Sequence, residues 1–217
     1  MEKPYTLVPV SENALVFTLP PPADLAKQQR LWAFADALQG FDGVAEVVVG
    51  MNNLSVFALP SVRLSALSDG IAALWETVRA ADYQGRHVEI PVVYGGASGE
   101  DLAEVAAFHG ITPEEVVRRH TEPVYTVFMM GFQPGFPYLG GLPEHLHTPR
   151  RAVPRTRVEA GSVGIGGSQT GVYPFASPGG WQIIGHTDLP LFRADQMPPT
   201  LLSAGDTVQF VAERVDL

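Results

Sequence analysis

Apolar and polar positions along the first third of the chain fall into short alternating runs and longer three-and-four-residue repeats. Tyr5 to Val10 and Ala14 to Leu19 are β-prone runs separated by the turn-like "SEN". "PPPAD" then opens a segment running to about Gln39, in which Leu25, Gln28, Leu31, Ala35 and Leu38 recur at helical spacing with Trp32 and Phe34 beside the stripe. Gly40 and Gly43 end it. "VAEVVVG" and "LSVFAL" read as strands joined by the tight turn "MNN", and Leu67, Ile71, Leu74 and Val78 place a second helix over roughly Ser65 to Ala81. The predicted order is ββαββα, a small sheet with helices on one face.

The pattern changes after "DYQGR", residues 82 to 86, which predicts an α+β domain over 1–84 and a second domain over 85–217. "HVEIPVVYGG" reads as a strand running into glycines. Two short helices follow: one is predicted to start at Ser98, with Asp101 three residues on. The other starts at Thr112, with Pro113 in the first helical position and Glu115 three residues on. Gly110 stops the first. From Val124 onward no helical period is visible, and runs such as "VYTVFMM", "GWQIIG" and "TVQFVAE" are separated by glycine and proline clusters. This texture predicts a closed or strongly curved β structure.

Composition excludes several classes. The 217 residues are 46% hydrophobic and 17% charged, as in a folded globular protein. There is no cysteine, so neither a disulfide, a thiolate metal site nor a cysteine nucleophile is available. The start "MEKPYTLVPVSENALVF" lacks a leader-like charged segment and apolar run, and no stretch approaches the ~18 apolar residues of a membrane span. A soluble, cytoplasmic protein is expected. The net charge of -9 argues against a general nucleic-acid binder. Within this acidic chain, four of the 14 basic residues crowd into "RRAVPRTR", residues 150 to 157, and only Lys3 and Lys27 are lysines.

That crowding directs attention to residues 131 to 190. "GFQPGFPYLGG", residues 131 to 141, holds four glycines, two prolines and three aromatic rings, with Gln133 and Tyr138 as its polar side chains. Such loops have stiff backbones that let a ligand or chain approach closely. Arg150, Arg151, Arg155 and Arg157 follow on a proline-stiffened segment, and guanidinium groups match carboxylate or phosphate. The competing reading is a solvated strand. "GSVGIGGSQTG", residues 161 to 171, offers Gly166 and Gly167 as an anion-binding nest, against a plain glycine-rich hairpin; it lacks the lysine of a nucleotide phosphate loop. "AGSVG" around Ser162 is close to a serine-nucleophile elbow, but no helix follows it, and no lysine is near for a serine relay. Glu144, His145 and His147 offer no predictable third ligand, so no metal site is expected. His186, after "IIG" and before "TDLP", is placed to act as an acid or base, or to bond a loop carbonyl.

"GFQPGFPYLGGLPEHLHTPRRAVPRTRVEAGSVGIGGSQTGVYPFASPGGWQIIGHT" closely resembles the family of bacterial 5-oxoprolinase B subunits, also called the Kip-type kinase inhibitor or allophanate hydrolase subunit 1 family. "VGMNN" and "IPVVYGG" agree as well, so the resemblance spans nearly the whole chain; Glu159 departs, standing where proline is more usual. The resemblance implies an N-terminal α+β domain and a C-terminal cyclophilin-like β-barrel. It further implies action with the 5-oxoprolinase C subunit, as a heterotetramer, and with the A subunit. Together these hydrolyse 5-oxo-L-proline to L-glutamate at the expense of ATP, with Mg2+ and no tightly bound cofactor. On that basis His186, Arg150 and Arg151 are the expected catalytic residues. Gln133, Tyr138, Arg155, Gly166, Gly167, Gln169, Thr170 and Tyr173 are the expected substrate or phosphate contacts. Two other roles known for such chains, inhibition of a sporulation histidine kinase and urea-amide metabolism as in urea carboxylase, stay open. Prolyl isomerisation would rest on fold likeness alone.

Overall fold

The structure, a computed structural model, describes residues 4–81 and 83–217; Met1 to Lys3, and Asp82 of the expected boundary stretch, lie outside the described residues. The chain divides into two compact units, up to Tyr83 and from Gln84 onward.

The first unit contains β1 (Thr6–Pro9), β2 (Ala14–Thr18), α1 (Leu25–Gln39), β3 (Val44–Val49), β4 (Asn53–Ala58) and α2 (Leu64–Thr77). Its sheet has the order β1-β2-β4-β3, antiparallel throughout. Asp24 caps α1 by accepting from the Lys27 amide at 2.8 Å. Leu31, Phe34, Leu38, Ile71 and Trp75 meet Phe17, Leu54 and Val56 in one core. Gln28, the polar member of the α1 stripe, is fully buried; it donates to the Gly50 carbonyl and accepts from the Asn52 amide, holding the β3–β4 turn, where Asn52 is left-handed. Helix α2 ends at Thr77, short of the predicted Ala81. Arg30 takes the Trp75 and Val78 carbonyls at 2.7 and 3.1 Å while its guanidinium lies 3.6 Å over the Trp75 ring.

The second unit comprises β5 (His87–Gly95), α3 (Leu102–His109), α4 (Pro113–Thr121), β6 (Tyr125–Met130), β7 (Pro137–Gly140), β8 (Arg155–Val158), β9 (Ser162–Gly166), β10 (Gln169–Val172), β11 (Ser177–Gly179), β12 (Gln182–His186) and β13 (Thr207–Asp216). Seven strands close a barrel in the order β10-β7-β6-β13-β5-β12-β9, and β8 pairs with β11 as a separate ribbon. The first and last strands of the unit, β5 and β13, lie parallel from Thr207 beside His87 to Asp216 beside Gly95. Every other barrel pair is antiparallel. Helix α3 begins after Asp101 rather than after Ser98, which belongs to a short 3-10 turn, Gly96–Ser98. Thr112 caps α4 as predicted.

Within the largely apolar core of the barrel unit runs a buried chain of hydrogen bonds through Tyr94, His120 and Thr170. His120, on the buried face of α4, is fully enclosed, stacked on Phe210 with ring centroids 4.5 Å apart. Thr170 bonds the Gly164 carbonyl at 3.0 Å, and a carbonyl can only accept, so the Thr170 hydroxyl donates there. It must then accept from His120 Nε2–H at 2.8 Å, which leaves Nδ1 to accept from the Tyr94 hydroxyl at 2.7 Å. One neutral tautomer satisfies all three groups. Burial alone pushes His120 down from 6.5 to about 3.

A second, smaller apolar cluster joins Phe136, Val158, Tyr173, Trp181 and Ile183, with Tyr138 against it. Trp181 lies on a floor of glycines: a Cβ on Gly166 would sit 2.5 Å from the indole Nε1, and one on Gly171 2.6 Å from the Pro137 carbonyl and 3.2 Å from the indole. Nothing but glycine fits there without displacing the ring.

Both features give measurable outcomes. The unfolded state takes up a proton at His120 below about pH 6.5 that the folded state refuses until about pH 3, so this residue removes stability as pH falls through that window. Between pH 7 and pH 5 the unfolding free energy from urea titration should fall by about 2 kcal/mol more than in His120→Asn. An equal fall in both proteins would contradict the assignment. Gly166→Ala should cost about 1–3 kcal/mol and shift Trp181 fluorescence, whereas alanine at Gly40, where a Cβ meets nothing within 4 Å, should leave the emission unchanged.

Candidate active site

The arginine segment is pinned through its backbone beside the β9–β10 turn and the start of β12. Thr148 and Gly167 exchange two backbone hydrogen bonds, of 3.1 and 2.8 Å. Gln182 Nε2 donates to the Pro149 carbonyl at 3.0 Å, and the Arg151 amide donates to the Gly180 carbonyl at 2.7 Å.

The side chains are organised by Asp101, which is only 2% exposed. Its carboxylate accepts from Arg151 Nη1 at 2.7 Å, from Arg155 Nη1 and Nη2 at 2.8 Å each, and from the Ile183 amide at 2.6 Å. The Asp101 amide in turn donates to the Ile183 carbonyl at 2.8 Å. Arg155 also reaches Glu100 at 3.1 Å, and these hydrogen bonds, Asp101 first, hold its guanidinium above its ordinary range. Arg157 forks onto Glu159, the residue where the family motif more often has proline, at 2.6 and 3.1 Å.

Arg150 is different. It is exposed, and no carboxylate pairs with it among the described residues; its guanidinium stands 5.8 Å from the centre of the Trp181 ring. Below it Tyr138, Tyr173 and Phe136 meet Trp181 edge to face, with centroids 5.5–6.4 Å apart. Phe132 in turn meets Phe136 and Tyr173 edge to face at 5.5 and 6.3 Å. Burial raises the Tyr138 and Tyr173 phenols above their ordinary value, against the pull of the Arg150 charge, so both stay protonated as donors at neutral pH. Phe132, left-handed at φ 64° and 59% exposed, carries the aromatic surface outward.

The expected site residues do not all converge here. Arg150, Tyr138 and Tyr173 gather round the Trp181 ring, with Tyr173 and Trp181 themselves buried and Tyr138 half-buried. Gln133 sits in the turn before β7 with its Oε1 buried and without a hydrogen-bond partner. Arg151 and Arg155 are committed to Asp101, so they are not the free anion donors that the run of arginines suggested. Gly166 and Gly167 do not form a nest: β9 and β10 make a hairpin with Gln169 opposite Gly166, the Gly167 amide is bonded to Thr148, and Trp181 covers Gly166. Thr170 is wholly inside the barrel and bonded to His120, closed to any substrate. His186 bonds the Ala160 carbonyl at 2.9 Å and lines a cleft of about 450 Å3 with Ser162, Glu100 and Arg157. Arg150 and Arg151 line a different cleft of similar size, against Glu104, Phe108 and Gln182 of the α3 side and β12. Sequence reasoning missed Asp101 as the organiser. Its one local signal was an acidic residue at a helix start, where capping is the ordinary explanation, and here its side chain makes no cap bond.

Residues 5–202 match the family described as "Carboxyltransferase domain, subdomain C and D". The chain is 59% identical over 211 residues to the 5-oxoprolinase B subunit of Haemophilus influenzae, covering 97% of this chain and 99% of that one. It is 48% identical over 185 residues to the 5-oxoprolinase B subunit of Bacillus subtilis, covering 80% and 77%. Among solved structures, that of TTHA0988 superposes with a TM-score of 0.78 at 34% identity over 93% of this chain, which spans 40% of that longer protein. With curated relatives this similar along nearly its whole length, the chain belongs to the family of 5-oxoprolinase B subunits.

Proposed function

We propose that this chain is a non-autonomous subunit of an ATP-dependent 5-oxoprolinase and that the surface beside Arg150 and Tyr138 receives 5-oxo-L-proline. The observation that carries the site is Arg150 itself, the arginine of its run that no carboxylate pairs with among the described residues, 5.8 Å from the centre of the Trp181 ring. 5-Oxoproline is a small flat lactam bearing one carboxylate. Arg150 would fork onto the carboxylate, and the protonated, half-buried Tyr138 phenol would donate to the lactam oxygen. The names carried by the relatives support the reaction and favour it over kinase inhibition, since the Bacillus relative bears the same name.

The overall reaction adds water across the lactam C–N bond, giving glutamate with a free amine, and couples this to hydrolysis of ATP to ADP and phosphate by a second water. The residues here do not fit a nucleotide's triphosphate, because the glycine stretch is a hairpin with its amides engaged. Among the described residues no group of three or more acidic or histidine side chains is placed to hold a metal ion by itself. Phosphate handling is therefore assigned to the partners, the C and A subunits, and substrate holding to this barrel, which we read as cyclophilin-like. No helix among the described residues is long and apolar enough to cross a membrane, and the proposed setting is the cytoplasm.

In the complex reconstituted with the C and A subunits, Arg150→Ala should lower kcat/KM for 5-oxoproline-dependent phosphate release about 100-fold, the loss expected when one charged hydrogen-bonded partner is removed. Arg157→Ala, which breaks only an exposed pair, should stay within about 2-fold. Full activity in Arg150→Ala would overturn the site, and turnover by this chain alone would overturn its dependence on partners.

A further inference from the structure

We propose that Asp101 and Gln182 are positioning residues that aim Arg150 at the substrate without touching it. This rests on Arg150 being the arginine that binds the substrate carboxylate, as set out above.

Among the described residues no hydrogen bond or ion pair fixes the Arg150 side chain, so its direction is inherited from its neighbours. On one side, the Pro149 carbonyl is held by Gln182 Nε2 at 3.0 Å. That bond also orients the amide, because only the NH2 end can face a carbonyl. On the other side, Arg151 is held twice, through its amide to the Gly180 carbonyl and through its guanidinium to Asp101 Oδ1 at 2.7 Å. Trp181, the ring beneath Arg150, lies between Gly180 and Gln182 in sequence, so the anchors that fix the arginine backbone and the residue that carries the indole are one short piece of chain. Asp101 ties that piece down as well, by exchanging two hydrogen bonds with Ile183. A single buried carboxylate thus sets both the guanidinium's base and the floor below it. Asp101 is separated from Arg151 by 50 positions and from Ile183 by 82, so removing its charge loosens the arginine segment relative to β12 rather than any local turn.

A residue acting in this way changes substrate affinity through Arg150 and nothing else. In the reconstituted complex, Asp101→Asn keeps the side-chain volume and one acceptor for Ile183 but withdraws the charge from two arginines. It should raise KM for 5-oxoproline about 10-fold with kcat within about 2-fold, as for loss of a pre-set binding geometry. Gln182→Met, which removes only the bond to Pro149, should raise KM about 3-fold. The decisive measurement is the double-mutant cycle: in an Arg150→Ala background each substitution should change KM by less than about 1.5-fold, because the group being aimed is gone. Effects that multiply in the double variants, or a wild-type KM in Asp101→Asn, would overturn the proposal. If Asp101→Asn does not fold, Gln182→Met carries the test, and its wild-type KM would overturn it equally. A normal KM in Arg150→Ala alone would instead strike the substrate reading and the positioning role with it, whatever the Asp101 variants do.

Discussion

A carboxylate with almost no exposure to water, placed where two arginines and a backbone amide converge, is the constraint on which the site depends. Moving an ionised Asp101 out of water costs several kcal/mol, and one arginine at good distance does not reliably offset it. Arg151, the two prongs of Arg155 and the Ile183 amide together saturate both oxygens. Such an arrangement cannot be relaxed piecemeal: removing any donor leaves a buried charge short of a partner. It therefore fixes the relative placement of the start of α3, the arginine segment and β12, three pieces that share no local sequence.

A consequence is chemical economy in the basic run. An acidic protein that concentrates four arginines in eight residues suggests a broad anion site, yet three of the four face carboxylates of the same chain. What remains is one guanidinium, over an indole that the glycines of β9 and β10 allow to lie close against the sheet. The glycines serve the aromatic ring, not a phosphate. Hydrophobic packing and ion pairing thus act on the same few residues from opposite sides: the glycine floor sets where Trp181 lies, and Asp101 sets what stands above it.

How much of this was legible follows the range of the interactions. The two helices of the first unit could be read because their signal is local, a repeat of Leu31, Ala35 and Leu38 with Asp24 at the start; even the odd Gln28 keeps the period while holding a distant turn. The barrel showed itself only as turn-rich texture, since the pairing that closes it sets β13 beside β5 across 120 positions and leaves no periodic trace. The same limit hid Asp101, whose partners are 50 to 82 residues away. It also misled at Thr170 and Gly167: a polar side chain and a free-looking amide resemble ligand contacts until His120 and Thr148 are found opposite them. Arg150, Tyr138 and Tyr173 stand out in the sequence as one cation and two phenols on stiff loops, and the fold brings them round Trp181; their contact with a ligand belongs to the proposal.

Two of the buried polar assemblies of the second unit differ in kind. The Tyr94–His120–Thr170 chain is neutral, complete and shut inside the barrel, so it specifies packing and offers nothing to a ligand. The Asp101 assembly is charged and reaches the surface, with Arg151 still 31% exposed. A ligand carboxylate arriving at Arg150 adds a second negative charge to a segment whose positive charges are already partly neutralised. On the proposed reading Arg150 would meet that carboxylate with its own charge unshared, since Arg151 and Arg155 are paired with Asp101. On that reading the site is limited to one carboxylate, which matches a monoanionic lactam and leaves the polyphosphate of a nucleotide to the partner subunits.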